Sequence, residues 1–167
     1  MATGFRVEKD SLGTLQVPSG AYYGVQTARA VENFPVSGYR AHPALILAYV
    51  HIKRAAAEVN NHLGMLDKRR RDAIVKACDS VLNDAQKLLK RDPFGKDRSG
   101  TLLDEWVIDV YQAGAGTSFN MNTNEVLANL ANERFGKDAE EKERGTYKFV
   151  HPNDHVNMAQ SLSLIHI

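Results

Sequence analysis

Cysteine is nearly missing from this sequence. Cys78 stands alone, so no disulfide can close within the chain, and a reducing compartment fits. It falls on an apolar helical face, where a lone thiol serves as a small core residue. No apolar run approaches the length that crosses a bilayer. The polar N-terminus holds no hydrophobic signal segment, so the cytoplasm is the expected location. Charge of one sign is also lacking. A net charge of +1 gives no field to recruit nucleic acid or an anionic membrane. Lys68-Arg69-Arg70-Arg71 is the one basic cluster, read as the solvated first turn of a helix. No segment repeats.

What is present is ordinary for one medium globular domain: 167 residues, 43% hydrophobic and 25% charged. Residues 1–40 concentrate glycine and proline, which predicts short strands and turns. Phe5-Arg-Val-Glu and Leu15-Gln-Val-Pro alternate on either side of Ser11-Leu-Gly13, the pattern of a small hairpin. Tyr22-Tyr23-Gly24 reads as a packed aromatic corner in preference to a binding edge. From Pro43 to Leu63 the pattern turns helical. Leu45, Tyr49, Ile52, Ala56, Val59 and Leu63 recur at spacings of 4, 3, 4, 3 and 4, one helical stripe. Pro43 suits the first turn and Gly64 the position after the last. His51 and His62 lack partners at ligand spacing and read as edge histidines. A second helix is expected from Asp67, its N-cap, to Lys90. Ile74, Cys78, Val81, Leu82, Ala85, Leu88 and Leu89 form its buried face. The short join makes the two helices antiparallel. Residues 91–101 read as a polar loop and 137–147 as an exposed charged connector.

Two polar stretches carry the chemistry. The first is Gly114-Ala-Gly-Thr-Ser-Phe-Asn-Met-Asn-Thr-Asn-Glu125. Trp106–Tyr111 before it reads as extended. The two glycines permit a turn, Thr117 and Ser118 can cap, and Asn120 to about Arg134 is the expected helix. Val126, Leu127, Leu130 and Ala131 form its apolar side, and Gly136 stops it. Free N–H groups at a helix start attract carboxylates and phosphates, and the amides and hydroxyls beside them suit an anionic small molecule. A turn feeding a capped core helix is the plainer alternative. A dinucleotide turn fits poorly, because Phe119 occupies the third glycine position. The second stretch is His151-Pro-Asn-Asp-His-Val-Asn-Met-Ala-Gln-Ser161. Pro152 forces an extended neighbour, and Asn153 or Asp154 can cap a new helix. Its histidines and Asp154 admit an acid–base pair, a metal site or a simple helix cap. Local chemistry favours the cap. Zinc is disfavoured, since Cys78 lies on another helix.

Together these motifs pass beyond pattern. Asp109-Val-Tyr-Gln-Ala-Gly-Ala-Gly-Thr-Ser-Phe-Asn-Met-Asn-Thr-Asn-Glu-Val-Leu-Ala-Asn129 resembles the first shared region of the aspartase/fumarase superfamily, and 151–161 resembles its second. Arg6-Val-Glu-Lys-Asp and Tyr22-Tyr-Gly-Val-Gln-Thr-Ala-Arg-Ala-Val-Glu-Asn-Phe34 resemble the N-terminus of its aspartases and class II fumarases. Gly114-Ala-Gly-Thr-Ser-Phe-Asn and Asp109-Val-Tyr-Gln have the aspartase form. His151 is the residue fumarases favour.

The resemblance implies a mainly α N-terminal domain with a small β-hairpin, truncated at the start of a central helical bundle. Residues 1–139 would form the domain and 140–161 a connector and the start of the central helical domain. It implies reversible elimination of ammonia from L-aspartate to give fumarate, with no cofactor and no metal. Thr117, Ser118, Asn120 and Ser161 match substrate-binding positions. His151, Asn153 and Asp154 match a secondary anion site. The partners implied are a small dicarboxylate and, in the full-length parent, a homotetramer. A class II fumarase fragment and a non-catalytic dicarboxylate-binding or interaction domain are the alternatives. The sequence departs from the family after Ser161. Leu162-Ser-Leu-Ile-His-Ile167 replaces the expected Thr/Ser-Asn-Asp and reads as a non-native tail. Nothing resembles the Gly-Ser-Ser-x-Met-Pro-x-Lys-x-Asn loop that carries the serine base. No catalytic residue is therefore assigned, and the chain alone is expected to be inactive.

Overall fold

A computed structural model describes residues 4–160. Strands β1 (Phe5–Asp10) and β2 (Gly13–Pro18) form an antiparallel hairpin in which Phe5 faces Pro18 and Asp10 faces Gly13. Gly13 takes a φ of 117°, which a side chain would strain. The hairpin is too small to stand alone, and Arg6 ties it down. Its guanidinium donates to the carbonyls of Pro18, Ala21 and Tyr23 at 2.8, 2.9 and 2.7 Å. Helices α1 (Val25–Asn33), α2 (Pro43–His62), α3 (Lys68–Arg91), α4 (Thr117–Phe135) and α5 (Ala139–Lys142) follow, with a 3₁₀ turn at Leu102–Glu105 and a π turn at Pro152–Val156. The fold is mainly α with one small sheet, as the sequence predicts.

Asp67 caps α3 by accepting the Arg70 N–H at 3.0 Å. Arg54 meets Asp79 and Arg71 meets Glu58, both at 3.0 Å. These paired positions run in opposite directions, so α2 and α3 are antiparallel. Ile74, Cys78, Val81, Ala85 and Leu88 are buried, while Leu82 and Leu89 reach only half-burial. Burial pushes the Cys78 thiol up to about 12, leaving it inert. The basic cluster does open α3, but only Lys68 is exposed. Arg69 pairs with Glu141, Arg70 with Asp67 and Arg71 with Glu58. The Arg69–Glu141 pair ties α5 to α3, so the charged connector 137–147 is largely exposed but tethered.

Helix α2 turns the other way from the predicted stripe. Leu45, Ile52, Val59 and Leu63 are exposed, Tyr49 and Ala56 half-buried. The buried face is Pro43, Ile46, Val50, Lys53, Ala57 and Asn60. Lysine and asparagine in that face disguised it, since both are normally outside. Helix α4 also differs from expectation. It begins at Thr117 and is buried on every side from Phe119 to Asn132. It threads the middle of the domain, against α1, α3 and the 147–157 segment. Trp106–Tyr111 does not form the expected strand: it is irregular, bends at Val110 and Tyr111, and among the described residues carries a single bridge, Arg40 to Asp109. Among the described residues no helix is long and apolar enough to cross a membrane.

Candidate functional site

The chain enters α4 through Gly116, whose φ of 76° is left-handed. Gly114 takes no such angle and has room for a Cβ, so only the second glycine makes the turn. Thr117 and Ser118 do not cap the helix. They are its first two residues, and Gln112 Oε1 accepts the Phe119 N–H at 2.6 Å in their place. Among the described residues the N–H groups of Thr117 and Ser118 have no acceptor. Both residues are half-buried. They line a cleft of about 670 Å³ together with Lys9, Arg29, Met121, His151, Asn153 and Asn157. The two polar stretches, some thirty residues apart, thus meet across one opening. A helix start with unpaired donors favours anionic oxygens there.

The second stretch is capped by His151. Neither Asn153 nor Asp154 caps it, because the proline fixes the turn one residue earlier. His151 Nδ1 accepts the N–H groups of Asn153 and Asp154 at 3.3 and 3.2 Å. An accepting Nδ1 leaves the ring proton on Nε2. His151 Nδ1 also lies 3.3 Å from Asp154 Oδ2. His155 Nδ1 accepts the His151 N–H at 2.8 Å, and burial, followed by the charge of Arg70, lowers the pKa of His155. Asp154 is exposed and not part of the cleft lining. Ser161 and residues 162–167 lie outside the described residues.

Asn120 is buried behind the cleft. Its Oδ1 accepts from Lys53 Nζ at 2.7 Å, and its Nδ2 donates to Asn157 Oδ1 at 3.1 Å. No role was assigned to Lys53 from the sequence, because a lysine is normally outside. The signal was the second helical spacing Ile46, Val50, Lys53, Ala57, Asn60. Burial lowers its pKa to about 7.

Glu125 was missed too. Its carboxylate accepts the N–H groups of Gly24, Gln26 and Thr27 at 2.9, 2.9 and 3.1 Å. Glu8 takes the Val25 N–H at 2.9 Å. Two acidic side chains therefore satisfy the start of α1. A Cβ on Gly24 would collide with the Tyr147 hydroxyl and both carboxylates. Burial raises Glu125 to about 7, against the pull of those N–H donors. Tyr147, shut in beside the two acids, is raised well above its usual value by burial and then by their charges. Among the described residues no three His, Cys, Asp or Glu side chains gather to hold a metal ion.

This architecture is that of a fumarate lyase N-terminal domain. A solved fumarate lyase:delta crystallin of Brucella melitensis superposes with a TM-score of 0.79 at 44% identity, over 95% of this chain and 32% of that one. A family model described as "Lyase" matches residues 13–163, and the chain belongs to that lyase family. An aspartate ammonia-lyase of a Bacillus species is 46% identical over 161 residues, 96% of this chain and 30% of the relative. A class II fumarate hydratase of Halobacterium salinarum is 44% identical over 161 residues, with the same coverage. The chain thus spans about 30% of the length of these curated relatives.

Proposed function

We propose that this chain is the carboxylate-binding N-terminal portion of an aspartate ammonia-lyase. In that reaction a base removes a proton from the carbon beside one carboxylate of L-aspartate. The electron pair spreads into that carboxylate, ammonia leaves, and fumarate remains. The demanding step is holding the extra negative charge, a task for preorganised donors. The observation that carries the reading is the free N–H pair of Thr117 and Ser118 opening on a cleft shared with His151 and Asn153. Thr117 and Ser118 hold a substrate carboxylate, Asn120 braces them, and Ser161 adds a hydroxyl. His151 and Asn153, with Asp154 at the rim, take a second anion. The base comes from a segment this sequence does not contain, in a cytoplasmic homotetramer. Residues 1–139 act as the N-terminal domain and 140–161 as the entry to the central helices.

The aspartase form of the Gly114–Asn120 turn favours ammonia over water as the leaving group. His151 and the fumarate hydratase relative support a class II fumarase as the second reading. Two assays decide. The 167-residue chain with L-aspartate should form no fumarate, and turnover would overturn the assignment of the base elsewhere. An intact lyase chain bearing these residues should consume aspartate and leave malate untouched. Malate turnover without aspartate turnover would move the assignment to fumarase.

A further inference from the structure

Lys53 is 1% exposed. Its Nζ donates to Asn120 Oδ1, Asn157 Oδ1 and Gln160 Oε1 at 2.7, 2.8 and 2.6 Å. Three ammonium protons meet three oxygens, yet all three acceptors are neutral amides. No carboxylate faces the amine among the described residues. A buried charge without a counter-charge is costly, so a domain that keeps one has set it where an opposite charge arrives. Asn157 shows where. It lines the cleft, and its Oδ1 is shared by Lys53 and Asn120. Asn120 stands in the first turn of α4, three residues past Thr117. One layer of amides separates the ammonium from the opening on which the free N–H groups lie.

We propose that Lys53 is the buried counter-charge of the carboxylate site, so that an anion in the cleft and a proton on Lys53 bind cooperatively. This rests on the dicarboxylate reading of the cleft. The surroundings allow it. Cys78 on α3 is the titratable group packed against the amine, and it stays neutral. On the segment that carries Asn157, His151 accepts backbone N–H groups and His155 is held below its usual pKa. Helix α4 contributes only the amide of Asn120. Burial, only partly offset by Cys78, brings Lys53 to about 7, near half-protonation at neutral pH. The neutral amine has two protons and cannot keep all three contacts. Uptake of a proton from solvent, favoured by the arriving anion, therefore also tightens Asn120 against Asn157. Lys53 is a positioning residue: it touches the amides, not the ligand.

The test is the lysine ¹³Cε resonance of the 167-residue chain, followed against pH with sodium fumarate or with sodium chloride at equal ionic strength. Lys53→Met identifies the signal, and through-bond correlation in the unaltered chain does so if that variant fails to fold. The expected result is a midpoint near 7 that rises by about one unit with fumarate. By reciprocity, fumarate then binds about tenfold tighter below that midpoint than above it. Fumarate that moves the Thr117 and Ser118 amides but leaves the Lys53 midpoint in place overturns this inference alone. Fumarate that moves neither overturns the dicarboxylate reading with it.

Discussion

Glu125 and Lys53 approach neutral pH from opposite sides, and each leaves a different mark on stability. Glu125 is raised from 4.5 to about 7. Its folded form holds a proton that the unfolded chain has lost, so stability falls as pH rises through that window. Lys53 is lowered from 10.5 to about 7. The unfolded chain holds the proton there, so stability climbs from about 7 towards 10.5. The two together predict a stability minimum near pH 7 in urea unfolding. Asp109 and Glu141, each held at about 2, act only in acid, where stability drops as they gain protons. His155 opposes Glu125 below its ordinary value, so variants must separate the contributions. Glu125→Gln should flatten the limb below 7 and Lys53→Met the limb above it. Glu125→Ala strands the N–H groups of Gly24, Gln26 and Thr27 and should cost on the order of 3 kcal/mol. A flat profile in the unaltered chain would refute the pair.

Helix α2 has two apolar faces, and the structure buries the less regular one. The exposed stripe, including Leu45, Ile52, Val59 and Leu63, keeps a 4-3 spacing that reads as a helix–helix seam. An uncovered patch of that kind promotes self-association. Ile52→Lys with Val59→Glu should shift sedimentation towards monomer while changing unfolding free energy by less than about 0.5 kcal/mol. Ile46→Ala, on the buried face, should cost about 2–4 kcal/mol. Equal losses from both would contradict the assigned orientation. The contrast explains what could be read ahead of the structure. The hairpin, the bounds of α2 and α3 and their antiparallel pairing were legible because turn residues, caps and spacing are local signals, whereas α1 lies in a stretch whose glycines and prolines predict only strands and turns. The facing of α2 and the all-round burial of α4 were not. Their buried faces hold Lys53, Asn60, Asn120, Asn129 and Asn132, which look solvated until distant partners are known. The turn residues Thr117 and Ser118 and His151 were legible as candidates, and the structure sets them on one cleft. Lys53 and Glu125 were not, because their meaning lies in contacts across 67 and 101 residues.

At the scale of the molecule, the cleft exists because one strap is held against α4. Asn132 Nδ2 donates to the Val150 carbonyl at 2.9 Å, and Asn132 Oδ1 accepts the Val150 N–H at 2.7 Å. This side chain mimics a strand partner inside a helix. One turn earlier, Asn129 accepts the Gly145 N–H at 2.8 Å and donates to the Tyr22 carbonyl at 2.8 Å. The asparagines that crowd α4 are therefore divided in labour. Asn120 joins Lys53 to Asn157 behind the cleft, while Asn129 and Asn132 fasten irregular backbone that no sheet or helix would satisfy. Asn132→Ala should strip both Val150 contacts inside the core, at a cost of about 2–3 kcal/mol. Hydrogen exchange should then quicken over residues 149–157 more than along α3, because the strap is released before the helices part. His151 and Asn157 would no longer face Thr117, so fumarate-induced shifts of the Thr117 and Ser118 amides should fade together with the loss of protection. Asn132→Asp keeps the acceptor for the Val150 N–H but buries a carboxylate against the Val150 carbonyl with no counter-charge among the described residues, so it should cost at least as much as Ala. Uniform faster exchange over the whole chain would mean that the strap and helices unfold as one unit, and that the site has no separable hinge between its two halves.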